Sequence, residues 1–271
     1  MTEDAASALR GVEKTMLLPL WGRYSESIKE HGLLHDSACV RIVESLGIDF
    51  SRVSSEQLNM SRLAWVARAL NVDREMRGIT EKGGVLTVLN LGCGLDTAFD
   101  GFASDSVRWY DIDLPGVIAL KKRLFKESDR YRLVPGSVLD ESTYRKIEIK
   151  GRPVVMAVGL LYYFNADEVT QLLEIIVRRF GQAEMILEYC SARGLEMGNR
   201  LVLKNRSDSI MKWSIESADA LYALSKTVRG VESYPLFHHV VPLLRGEEAR
   251  QAAMSDQLAI MSFAKLFLQQ T

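Results

Sequence analysis

Val85-Leu86-Thr87-Val88-Leu89-Asn90-Leu91-Gly92-Cys93-Gly94-Leu95-Asp96-Thr97 is the stretch on which the fold turns. An apolar run rich in β-branched residues that ends on a Gly-X-Gly turn reads as a strand buried on both faces, most often in a parallel sheet. Glycines at such a turn carry no Cβ, so the backbone bends sharply and a ligand can come close to it. A doubly wound sheet presents a nucleotide-like ligand in this way, at the carboxyl end of its first strand. A tight corner with a purely structural purpose fits the same pattern, so the flanking residues have to decide.

Those residues argue against a dinucleotide. The third glycine of G-x-G-x-x-G falls on Thr97, and the acidic Asp96 stands where a pyrophosphate would need positive potential. The loop Gly92-Cys93-Gly94 with Asp96 therefore suits an adenosine ligand with little or no phosphate, and S-adenosylmethionine answers that description. A second strand, Val107–Asp113, ends in Asp111 and Asp113, about twenty residues after the turn, where α/β nucleotide sites place a carboxylate for ribose hydroxyls. The two share a strand face, and spacing does not choose between them. Ser137 and Val138 follow a short third strand, where a small polar group and a backbone amide could hold adenine; on the residues alone a plain Pro-Gly turn is the stronger reading there. Glu188 ends an apolar strand and is either a site residue or a strand end.

Outward from the core, strand and helix alternate. Pro153–Val158 and Met185–Tyr189 read as further strands, and Val117–Glu127 and Asp167–Phe180 as helices, which predicts a mostly parallel α/β sheet. Residues 5–80 read as helices, with His35-Asp36-Ser37 as a cap and Gly47 as a stop. Residues 192–225, including Trp213, also read as helical, and the tail from Gly230 supplies two more strands. The expected organisation is one domain over 1–271: a helical segment (1–80), a cofactor-binding core (81–191), and a helical cover with final strands (192–271).

Composition narrows the rest. A formal charge of −1 without a basic run gives no support to a nucleic-acid partner. Three cysteines without C-x-x-C spacing, and no apolar run of membrane-spanning length, predict a cytoplasmic protein without disulfides, structural zinc or a membrane anchor. The histidines His31, His35, His238 and His239 form no Ser-His-Asp or metal-ligand spacing.

Taken together, these residues resemble the leucine carboxyl methyltransferase family, in its bacterial branch of polyketide O-methyltransferases. The likeness runs through residues 13–23 (Glu-Lys-Thr-Met-Leu-Leu-Pro-Leu-Trp-Gly-Arg), Leu34-His35-Asp36-Ser37-Ala38 and Ala67-Arg68-Ala69-Leu70-Asn71-Val72-Asp73. It continues through the glycine loop, Asp111-Ile112-Asp113-Leu114-Pro115, Gly159-Leu160-Leu161-Tyr162-Tyr163-Phe164 and Met211-Lys212-Trp213. The resemblance implies a Rossmann-like class I methyltransferase sheet that binds S-adenosylmethionine. Arg68 would hold the methionine carboxylate, Gly92 and Gly94 would pass beneath it, Asp113 or Asp111 would take the ribose, and Leu114, Ser137, Val138, Val158 and Gly159 would complete the cradle. Three positions depart from the family pattern: Val158 replaces an acidic residue, Ala98 an arginine, and Ser37 a proline.

The implied reaction is O-methylation of a small molecule, on a carboxylate or a polyketide-like oxygen. Tyr24, Tyr162, Tyr163, Glu188 and Trp213 are candidates for the acceptor pocket. No base constellation stands out, which suits a carboxylate acceptor that is already ionised. A non-catalytic protein on the same fold, a nicotinamide oxidoreductase and a protein-methylating enzyme are the rival readings.

Overall fold

The computed structural model describes residues 15–50, 55–204 and 209–270. Parts of the expected N-terminal helix, including Glu13 and Lys14, lie outside the described residues. Within them the chain runs α1 (Leu17–Ser27), α2 (Ser37–Leu46), α3 (Ser55–Glu81), β1 (Leu86–Leu91), α4 (Ala98–Phe102), β2 (Val107–Asp113), α5 (Pro115–Leu124) and β3 (Tyr131–Pro135). It continues with β4 (Arg152–Ala157), α6 (Ala166–Phe180), β5 (Gln182–Cys190), α7 (Ala192–Met197), α8 (Ala218–Tyr222), β6 (Val228–Pro235), α9 (Gly246–Gln257) and β7 (Met261–Gln269).

The strands form one sheet in the order β3-β2-β1-β4-β5-β7-β6. All neighbours pair in parallel except β7, which runs antiparallel to both β5 and β6. The opening stretch thus becomes the central strand β1, buried at every position. Its alternate residues serve two cores. Leu86 and Val88 pack with Leu63, Ala67, Met76 and Ile79 of α3, while Leu89 and Leu91 pack with Val169, Leu172, Leu173 and Ile176 of α6. A strand covered on both faces needs this two-sided apolar pattern.

Local signals set the helix ends. The Asp36 side chain accepts from the Cys39 amide at 2.8 Å at the start of α2, and Gly47 closes that helix with φ 59°. Asn165 and Glu168 form a capping box on α6. Helix α3 runs unbroken for 27 residues, from Ser55 to Glu81.

The helical expectation for 192–225 needs correction. After α7 and one π-helical turn (Gly198–Val202), the chain at 210–217 is neither helix nor strand. Its backbone is held by other elements: the Lys212 and Trp213 amides both donate to the Tyr162 carbonyl, and the Ile215 amide donates to Cys190. Tertiary hydrogen bonds here outweigh helix propensity. In the tail, Leu258 to Ile260 form the turn after α9, and the strand begins only at Met261.

Candidate functional site

Because strand side chains alternate with period two, Asn90, Asp111, Asp113 and Glu188 project from the sheet face that α3 and α5 cover. Their same-parity neighbours Val88, Trp109 and Ile186 belong to that core with Ile118 of α5, while Leu89, Ile112 and Leu187 belong to the opposite one. The polar residues of the first, second and fifth strands therefore converge above the carboxyl ends of the sheet.

The turn between them has no room for side chains. Gly92 has φ 63°, and a Cβ there would lie 2.8 Å from Leu160 Cδ1. Gly159 has φ 80°, and its Cβ would lie 2.7 Å from Arg68 Nη1. Positive φ excludes most side chains from both positions on backbone grounds alone.

Asp113 and Asp111, alike in sequence, have different surroundings. Asp113 accepts from the Gly94 amide at 2.8 Å and from the Leu114 amide at 2.7 Å, and it lines the cavity described below. Asp111 lies one pleat deeper and is 1% exposed. Its oxygens take Trp109 Nε1 at 2.8 Å, Asn90 Nδ2 at 3.0 Å, the Tyr131 hydroxyl at 2.6 Å and Lys121 Nζ at 2.7 Å. Lys121 is wholly buried and also donates to the Asp96 carbonyl at 2.9 Å. Burial alone would lower the Lys121 pKa, but the Asp111 charge overrides it and holds the amine above the ordinary lysine value. Asp111 does not line the cavity that Asp113 lines; it is the seat of a lock beneath the glycine loop.

Arg68, on α3, meets Glu188 across the cavity wall. Its Nε donates to Glu188 Oε2 at 2.8 Å, its Nη2 donates to Glu188 Oε1, and Nη2 also lies 3.0 Å from the Tyr162 hydroxyl. Glu188 is completely buried and is absent from the cavity surface. The apolar run Met185–Tyr189 carries a single carboxylate, Glu188, which signals a buried acid in need of a cation without naming Arg68 as that cation.

A second network ties the N-terminal helices to the glycine loop. The buried Arg23 donates to Asp36 Oδ2 at 2.7 Å, to Thr97 Oγ1 at 2.6 Å and to the Leu95 carbonyl at 2.7 Å. Thr97 in turn donates to Asp36 at 2.6 Å, and Asp96 lies within 3.9 Å of the guanidinium. Three sequence motifs that are far apart in the chain close here on one arginine. Sequence reasoning saw the motifs and missed Arg23 as their junction.

These elements enclose a cavity of about 550 Å³. Of the expected residues, Arg68, Gly92, Cys93, Gly94, Asp96, Asp113, Leu114, Val158, Gly159, Tyr162 and Tyr163 line it. The others do not. Ser137 is exposed and caps the Leu139 amide at 3.2 Å, and Val138 is buried in the core on the opposite face. Tyr24 packs on Phe50 with ring centroids 6.0 Å apart, and Trp213 belongs to the same core as Val138. Of the histidines only His35 reaches the cavity, from an exposed position.

The sheet order and the cleft above its first strand define a class I methyltransferase fold. The model of the leucine carboxyl methyltransferase family matches residues 19–177, and the chain belongs to that family. It is an S-adenosylmethionine-dependent methyltransferase. Among its relatives is the tetracenomycin polyketide synthesis O-methyltransferase TcmP of Streptomyces glaucescens, 26% identical over 229 residues that cover 84% of each chain. The S-adenosyl-L-methionine-dependent methyltransferase dpfgK of Gibberella zeae is 28% identical over 187 residues, 64% of this chain and 62% of the relative. In fold, a protein of Thermobifida fusca provisionally described as a methyltransferase superposes with a TM-score of 0.63 at 13% identity, covering 97% of this chain and 96% of that one. Among the described residues, no helix is long and apolar enough to cross a membrane.

Proposed function

We propose that the protein is an O-methyltransferase whose acceptor is a small molecule, bearing either a carboxylate or a polyketide-like oxygen. The observation that carries this reading is the cavity itself. Arg68 and Asp113 face into it, the Cβ-free turn lies beside them, and most of its surface is apolar, with Trp65, Leu160, Leu203, Met211 and Met261 among the lining residues. A pocket of that size encloses most of a drug-sized ligand. The likeness to TcmP supports oxygen as the methylated atom and a polyketide-like molecule as the acceptor.

The donor set fits S-adenosylmethionine. Arg68 would hold the methionine carboxylate, Gly92 and Gly94 would run beneath the methionine chain, and Asp113 would accept the ribose hydroxyls with Leu114 beside the base. When bound, the cofactor supplies an electrophilic sulfonium methyl. The apolar walls strip water from the acceptor oxygen and align it for in-line attack, in which a C–O bond forms as the C–S bond breaks. A carboxylate, with its unperturbed pKa of about 4, arrives ionised and needs no base from the protein. Among the described residues that line the cavity, His35 is the one histidine and is exposed, so a base for a phenol or alcohol would have to come from it or from one of the lining aspartates.

Transfer of tritiated methyl to a panel of carboxylic acids and phenols tests this reading. Incorporation into either class supports it. Binding of S-adenosylhomocysteine without turnover on any acceptor favours the non-catalytic reading, and tight NAD binding in place of S-adenosylhomocysteine sinks both.

A pH dependence follows from Asp113. Burial pushes its carboxyl above the usual aspartate value, against the two backbone donors that favour the ionised form. As a raised acid, it costs stability when ionised, and that cost is relieved as pH falls through the raised pKa. Its role as a double acceptor for ribose is lost over the same window. Affinity for S-adenosylhomocysteine is therefore expected to fall on acidification earlier than an ordinary aspartate would allow. Titrations at stepped pH should show Asp113→Asn with a flattened acid limb; an unchanged limb would remove Asp113 from the ribose role.

A further inference from the structure

We propose that Glu188 is a positioning residue, which clamps the Arg68 guanidinium from behind so that Nη1 is held at the cavity wall for the ligand's carboxylate. The inference rests on the cofactor reading above and assigns a function to a side chain that does not reach the cavity. The order of layers carries it. Glu188 is fully buried, and both its oxygens are engaged by Arg68, one on Nε at 2.8 Å and the other on Nη2. The Tyr162 hydroxyl closes the same edge, 3.3 Å from Glu188 Oε1 and 3.0 Å from Nη2. On the other side, Nη1 rests against Gly159, and among the described residues no acceptor is bonded to it. Arg68, Gly159 and Tyr162 all line the cavity, and Glu188 does not.

The physical reason for such a clamp is the length of the arginine side chain. A guanidinium on a flexible stem loses rotamer freedom whenever it is aimed, and a partner that fixes its plane beforehand removes that cost from binding. A bidentate carboxylate on the Nε–Nη2 edge fixes the plane and leaves the Nη1 donors pointing away from it. Glu188 also compensates the buried cation, so Arg68 can stay in place without a ligand. Removing the carboxylate has two opposed effects: the site becomes more positive, which favours an anionic ligand, and the guanidinium loses its aim. Of the two, the loss of aim dominates.

Two ligands separate these effects. S-adenosylhomocysteine carries the carboxylate, and 5′-methylthioadenosine shares the adenosine and thioether but lacks the amino-acid group. In calorimetric titrations, Glu188→Gln is expected to weaken S-adenosylhomocysteine about 10- to 100-fold while changing 5′-methylthioadenosine by less than about twofold. Glu188→Asp guards against a folding failure of the first variant, because it keeps the negative charge beside Arg68 while withdrawing the two-point contact, and it should give a smaller loss with the same selectivity. Equal or tighter binding of S-adenosylhomocysteine by the variants, or parallel loss of both ligands, overturns the inference alone. Wild-type protein that binds neither ligand overturns the cofactor reading and the inference with it.

Discussion

Replacing Lys121 by methionine is expected to lower the free energy of unfolding by about 3–5 kcal/mol, because it leaves a buried carboxylate without its cation. Lys121 is wholly buried, and its amine reaches Asp111 at 2.7 Å and the Asp96 carbonyl at 2.9 Å. Asp111 keeps its neutral donors from Trp109, Tyr131 and Asn90, yet none of them carries charge. Adding Asp111→Asn removes the orphaned charge, so the double variant should be more stable than Lys121→Met alone. Urea denaturation of the four proteins closes that cycle, and additive losses would show that the two side chains are not coupled. The amine's raised pKa also fixes the pH range: the pair stabilises the fold below the ordinary lysine pKa, and the contribution disappears only as pH rises through the higher folded value.

The second large effect is expected at Arg23. Arg23→Leu keeps some of the packing volume and deletes the bonds to Asp36, Thr97 and the Leu95 carbonyl. Asp36 then retains the Thr97 hydroxyl and its capping role on Cys39, with no cation beside it. Bonds to charged groups are worth roughly 1.5–3 kcal/mol each and are not additive, so a loss of about 3–4 kcal/mol is the expected scale. The same arginine fastens α1 and the start of α2 to the loop that follows β1, so affinity for S-adenosylhomocysteine should fall along with stability. A variant that melts early but binds normally would show that the N-terminal helices are not needed to shape the site.

The two networks explain which parts of this protein can be read from sequence. β1 is legible because its burial on both faces forces a continuous apolar run, and Gly92 because positive φ beside Leu160 excludes a side chain. Asp113 is legible as a type and a spacing. Its distinction from Asp111 is not, because both project from the same face, and the difference lies in depth and in which donors surround each carboxylate. Arg68 was accessible only through family resemblance, since its partner Glu188 is 120 residues away. Ser137 illustrates the limit of turn chemistry. Its Pro-Gly context marks a turn correctly, but the hydroxyl faces solvent and caps Leu139. The irregular 210–217 segment was read as helix because its hydrogen bonds go to Tyr162 and Cys190, which local periodicity does not register.

A crystal structure of the protein with S-adenosylhomocysteine would show directly which side chains hold the ligand. The amino-acid carboxylate is expected on Arg68 Nη1, with Arg68 still paired to Glu188, the ribose hydroxyls on Asp113, and Asp111 still bound to Lys121. A ligand whose ribose displaces Lys121 to reach Asp111, or whose carboxylate lies away from Arg68, would contradict that arrangement.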